Sequence, residues 1–199
     1  MDTPEALKYA FTHSTAVRYV VAITGCSGIG YGLRLLEVLE GEKVLVISKT
    51  AENMLGTETG VSMEELSLMA DRIHRDDDLF APIASGSCKF DGMIVVPCSA
   101  STLAKIASGI GDTLITRVAT VCLKEGRRLI LVPRETPVDA IMLENQLRLV
   151  NAGATVLPAS PGFYHSPQSI EDLVDFIVGR ILDQLGLEND MFQRWNGER

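Results

Sequence analysis

Positive charge is scarce in this 199-residue chain: 18 lysines and arginines stand against 26 aspartates and glutamates, a formal net charge of −8. Such a surface has no overall field to draw in nucleic acid or an anionic membrane, so any phosphate must be held by a local set of basic side chains. Aromatic residues make up only 6%, which leaves Val, Ile, Leu and Ala to build the core. Three histidines, His13, His74 and His165, are scattered and form no Ser-His-Asp, Cys-His or metal-binding pattern. The four cysteines, Cys26, Cys88, Cys98 and Cys122, include no Cys-x-x-Cys pair and no histidine at ligand spacing. That argues against structural zinc and for reduced, half-buried thiols. No apolar run approaches the ~20 residues of a membrane span, and residues 1–17 lack the basic start and apolar run of a signal peptide. The expected location is the cytoplasm.

What is present is a repeated alternation. Short apolar, β-branched runs at residues 19–24, 43–48, 93–96, 129–132 and 154–157 read as buried strands, most of them ended by glycine or proline. Helical patterns fill residues 28–40, 50–57, 63–71, 101–108, 112–125, 138–151 and 169–186. Strand and helix in turn predict an α/β fold: a single-domain, Rossmann-like (flavodoxin-like) parallel sheet with helices on both faces. Residues 1–17 are set apart as an N-terminal extension, residues 18–199 form the domain, and residues 72–92 read as a long loop.

In an open parallel sheet, ligands bind beyond the carboxyl ends of the strands. The segments there are rich in Gly, Ser, Thr, Arg and Glu. Gly25-Cys26-Ser27-Gly28-Ile29-Gly30 follows a strand and opens a helix, where small residues let backbone N–H groups approach an anion. Ser27 stands where a dinucleotide motif needs its middle glycine, and Ser48, with no acidic residue, ends the second strand. NAD is disfavoured and a mononucleotide such as FMN gains. Ser99, Ser101 and Thr102 either cap the next helix or, with its N–H groups, hold a phosphate. Arg134-Glu135 lies between Pro133 and Pro137; it is either a surface ion pair or a guanidinium for a phosphate or flavin carbonyl beside a carboxylate for proton transfer. Arg117, Lys124 and Arg180 are single basic residues in helical segments, and their pattern alone reads as solvated.

Taken together these motifs resemble the UbiX-type flavin prenyltransferases. The matching stretches are GCSGIGYGLRLLE (25–37), VISK (46–49), TET (57–59), IASGS (83–87), GMIVVPCSASTLAKIASG (92–109), LKEGRRLILVPRETP (123–137), PASPGFYHSPQSIEDLVDFIVGRILDQLG (158–186) and DMFQRW (190–195). The resemblance implies transfer of a dimethylallyl group, from the phosphate or diphosphate, to N5 and C6 of reduced FMN without a metal. The prenylated FMN then serves UbiD-type decarboxylases. It also implies a dodecamer with sites between subunits. By the same resemblance, Gly25, Cys26, Ser27, Ser48, Ser99, Ala100, Ser101, Thr102, Arg117 and Arg134 contact the flavin. Lys124, Tyr164, Arg180 and Trp195 surround the prenyl donor, and Glu58, Glu135 and Ser27 belong to the catalytic steps. Gly126 replaces a usual Arg, Thr116, Val118 and Thr120 depart around Arg117, and many members have Ala at Cys26. Two other readings are a flavin-dependent decarboxylase of cysteine-containing substrates and an FMN-binding module without chemistry.

Overall fold

Residues 17–197 are described by the structure, a computed structural model. Five of its strands are the apolar runs: β1 (Arg18–Ile23), β2 (Glu42–Ile47), β4 (Gly92–Cys98), β5 (Arg128–Pro133) and the two-residue β6 (Thr155–Val156). The sixth, β3 (Arg72–Arg75), falls where a loop was expected. Its sequence, RIHR, carries no apolar alternation. It is held by parallel backbone pairing to β2, from Val44 opposite Arg72 to Ile47 opposite Arg75, and an edge strand held that way leaves no hydrophobic signature. The helices are α1 (Ile29–Val38), α2 (Lys49–Thr59), α3 (Met63–Ser67), α4 (Ala100–Ala107), α5 (Leu114–Glu125), α6 (Ala140–Asn151) and α7 (Ile170–Leu185). The expected helix 63–71 stops at Ser67, because residues 68–71 turn the chain into β3. The proposed extension at residues 1–17 lies outside the described residues except for Val17.

All strand pairs are parallel, in the order β3-β2-β1-β4-β5-β6. Both faces are covered, so successive strand residues enter different cores. Val21 and Ile23 pack with α1 and α7, whereas Val20 and Ala22 pack with α4 and α5. That division explains the continuous apolar runs. From β1 the chain winds outward to β2 and β3, then returns to β4 and winds the other way. The direction of winding reverses between β1 and β4, and a crevice opens there at the carboxyl edge. No helix among the described residues is long and apolar enough to cross a membrane.

Candidate functional site

The crevice is built from the loops that follow β1 and β4. Gly28, at φ 109°, is the residue before α1, a left-handed conformation that favours glycine. A Cβ on Gly25 would run into the side chain of Thr50, so the β1 loop lies directly against the start of α2. Thr24 joins the two loops. Its hydroxyl donates to Pro97 O at 2.8 Å and accepts from Ser99 N at 2.7 Å. Its own N–H also reaches Pro97 O, at 3.2 Å. Thr24 is 1% exposed, and a buried hydroxyl that both donates and accepts fixes the spacing of the two loops. By sequence Thr24 reads only as the end of a strand; a hydroxyl closing an otherwise apolar run is the available signal.

Ser48 and Ser99 act as caps, of α2 and α4 respectively. Ser99 Oγ accepts from Thr102 N at 3.2 Å and donates to Thr102 Oγ1 at 2.9 Å. No acceptor among the described residues takes the N–H groups of Ala100 and Ser101, so they are open to an incoming anion. The start of α1 is different. Glu58 Oε1 accepts from Gly28 N at 2.5 Å and from Ile29 N at 2.9 Å. The anion at that helix end is the chain's own carboxylate, delivered by the last turn of α2. Arg134, just past β5, donates from Nε to Ser27 O at 3.0 Å. Its two terminal NH2 groups have no partner among the described residues. Glu135 Oε1 accepts from Thr136 N at 3.2 Å. Burial pushes the Cys26 thiol up to about 11, against the pull of the Arg134 guanidinium; Glu135 and Glu58 add to the rise. One crevice thus holds Gly25, Cys26, Ser27, Ser48, Glu58, Ser99 to Thr102, Arg134 and Glu135.

The remaining candidates form two other groups. Tyr164 meets Trp195 edge-on at 6.0 Å and Phe176 of α7 at 5.8 Å. Arg180 pairs with Asp183 at 2.9 Å, and Asp183 also binds Arg194 at 2.7 Å, which ties Arg180 to the tail that carries Trp195. Arg117 and Lys124 lie on α5. Arg117 Nε donates to Ala84 O at 2.9 Å, and Lys124 Nζ is 3.1 Å from Glu125 Oε1. Helices α5 and α7 pack on opposite faces of the sheet, so one chain does not bring Lys124 and Arg180 together. Among the described residues no group of three or more His, Cys, Asp or Glu side chains is placed to hold a metal.

The chain matches the Flavoprotein family over residues 9–182. It is 51% identical over 180 residues to the flavin prenyltransferase UbiX of Thermoplasma acidophilum, covering 90% of this chain and 100% of that one. Among solved structures, AnUbiX (PadA1) in complex with FMN and dimethylallyl pyrophosphate superposes with TM-score 0.90. The two are 48% identical, over 92% of this chain and 99% of that one. A dodecameric FMN-dependent UbiX-like decarboxylase from Escherichia coli O157:H7 gives TM-score 0.88 at 43% identity, over 91% of this chain and 100% of the other.

Proposed function

This chain belongs to the Flavoprotein family and, within it, to the UbiX-type flavin prenyltransferases, and on that premise we propose that it transfers a dimethylallyl group from dimethylallyl phosphate or diphosphate to reduced FMN. The observation that carries the reading is Arg134. Its guanidinium is anchored by Nε to the β1 loop, its two NH2 groups have no partner among the described residues, and Thr24 ties that same loop to the start of α4, where the N–H groups of Ala100 and Ser101 are unengaged. These donors, in a crevice floored by glycine and serine, fit a flavin mononucleotide through its phosphate and ring carbonyls.

Reduced FMN, when bound, supplies nucleophilic ring atoms, N5 and C6 in this proposal. The chain supplies charge, position and proton transfer. Breaking the allylic C–O bond leaves negative charge on the departing phosphate, and Lys124, Arg180 and Tyr164 are its proposed partners. Each well-placed donor lowers such a barrier by about 2.7–4 kcal/mol. Glu58 and Glu135, with Ser27 between their loops, are the groups proposed to move the proton released on ring closure. Trp195 helps keep water from the cationic prenyl group. No metal takes part in these steps.

Since Lys124 and Arg180 lie on opposite faces of one chain, neighbouring copies supply them to a shared site, and the proposed assembly is a dodecamer. An exposed apolar stripe on α6, Leu143, Leu147 and Val150 at 53%, 61% and 51% exposure, supports burial between copies. The product is proposed to serve a UbiD-type decarboxylase, in the cytoplasm. The test is incubation with reduced FMN and each donor, read by mass spectrometry. The expected product is a flavin heavier by one prenyl unit; absence of adduct with both donors refutes the assignment.

A further inference from the structure

The segment from Ala84 to Phe90 crosses beneath α5 outside any sheet pairing, and its carbonyls are held by arginines. Arg117 Nε takes Ala84 O at 2.9 Å. Arg127, which directly follows the glycine cap of α5, takes two more: Nη2 donates to Gly86 O at 2.6 Å and Nη1 to Cys88 O at 2.7 Å. The Arg127 guanidinium also lies over the Phe90 ring, 4.3 Å from its centroid. A planar fork on two alternate carbonyls and an aromatic floor sets both the height and the tilt of the loop, which a lysine could not do.

The loop held in this way presses against Lys124. A Cβ on Gly86 would stand 2.5 Å from Glu125 Oε1 and 3.0 Å from Lys124 Nζ. A side chain there would push the ends of Glu125 and Lys124 aside, so the glycine leaves the room in which the Lys124–Glu125 pair, at 3.1 Å, lies over the segment. Arg127 fixes where Gly86 sits, and Gly86 fixes where the ammonium of Lys124 rests. We propose that Arg127 is a positioning residue for the prenyl donor, acting through Gly86 on Lys124. The inference rests on the reading above, in which Lys124 binds the donor phosphate. Arg127 touches neither flavin loop, so its effect is confined to the donor.

Arg127→Lys, Gly86→Ala and, as reference, Lys124→Ala are compared in the full-length protein loaded with FMN. KM for dimethylallyl phosphate, kcat, FMN affinity and melting temperature are measured. Arg127→Lys and Gly86→Ala are each expected to raise the donor KM about tenfold and to lower kcat with it, while FMN affinity stays near wild type, since Lys124 meets the donor phosphate on binding and again as it departs. Gly86→Ala displaces only the flexible ends of two side chains, so it decides the matter should Arg127→Lys fail to fold. A wild-type KM in Lys124→Ala refutes the underlying reading. A raised KM in Lys124→Ala with a wild-type KM in either other variant overturns the role of Arg127. Parallel loss of FMN affinity and melting temperature also overturns it, because that is the mark of a loop that only supports the fold.

Discussion

A thiolate beside an allylic electrophile would compete with the flavin for it. Cys26 stands in the crevice, and burial pushes its thiol up to about 11. At neutral pH it is protonated and a poor nucleophile. Alkylation of Cys26 by iodoacetamide, followed by peptide mass spectrometry, is therefore expected to be slow at pH 8 and to accelerate through about pH 11. A rate that already levels off near pH 9 would show an ordinary thiol. Thr24 makes the second residue-scale case. Thr24→Val keeps the shape but leaves Pro97 O and Ser99 N without their hydroxyl partner. The expected loss is about 1–3 kcal/mol of stability by denaturant unfolding, with weaker FMN binding by titration, and Thr24→Ser restores both. Unchanged FMN affinity in Thr24→Val would mean the loop spacing is set elsewhere.

Among the elements, α7 and the tail that folds back on it are joined through Asp183. Its carboxyl is held below the usual carboxylate range, first by the hydrogen bond from Arg194, with Asn189 and Arg180 adding to the effect and burial opposing it. A lowered folded-state value means that the stabilisation is fully present above the unfolded carboxylate pKa of ~3.9 and is lost as pH falls through the lower folded one. Trp195 is the single tryptophan, so its fluorescence reports the tail alone. Emission is expected to stay constant from pH 7 down to that range and to shift below it. In Asp183→Asn the shifted emission is expected at neutral pH; an acid transition unchanged by that substitution would place the coupling in another group.

The elements also show which parts of the fold could be read from residues. Apolar runs such as Val20 to Ile23 announced buried strands because helices cover both faces. The loops after them announced a site because glycine and serine there have a conformational reason to follow a strand. The strand Arg72–Arg75 was illegible, since its pairing is made by backbone and its side chains carry no period. Glu58 was legible only by resemblance. Its contacts with Gly28 and Ile29 span about thirty residues of sequence, and no local pattern tells a carboxylate at the end of one helix that it will cap another. The open helix end proved to be that of α4, whereas the glycine-rich start of α1 is filled from within.

On the scale of the whole molecule, a net charge of −8 concentrates the meaning of the few arginines and lysines proposed to meet the ligand. Lys124 on α5 and Arg180 on α7 lie on opposite faces of the sheet, and one chain leaves them apart. A shared site needs symmetry-related copies to meet. Dilution of the assembly is accordingly expected to abolish prenylation before it unfolds the chain, as read by light scattering alongside activity; full activity in a monomer would contradict a site between copies.

Complementation measures that arrangement most directly. Arg180→Ala and Lys124→Ala are produced separately and then co-expressed, and prenylated flavin is quantified by mass spectrometry. Each variant alone is expected to be nearly inactive. The co-expressed mixture is expected to regain about a quarter of wild-type activity, the share of sites that draw an intact Arg180 from one copy and an intact Lys124 from another in a randomly mixed symmetric oligomer. A mixture no more active than its parents would contradict it.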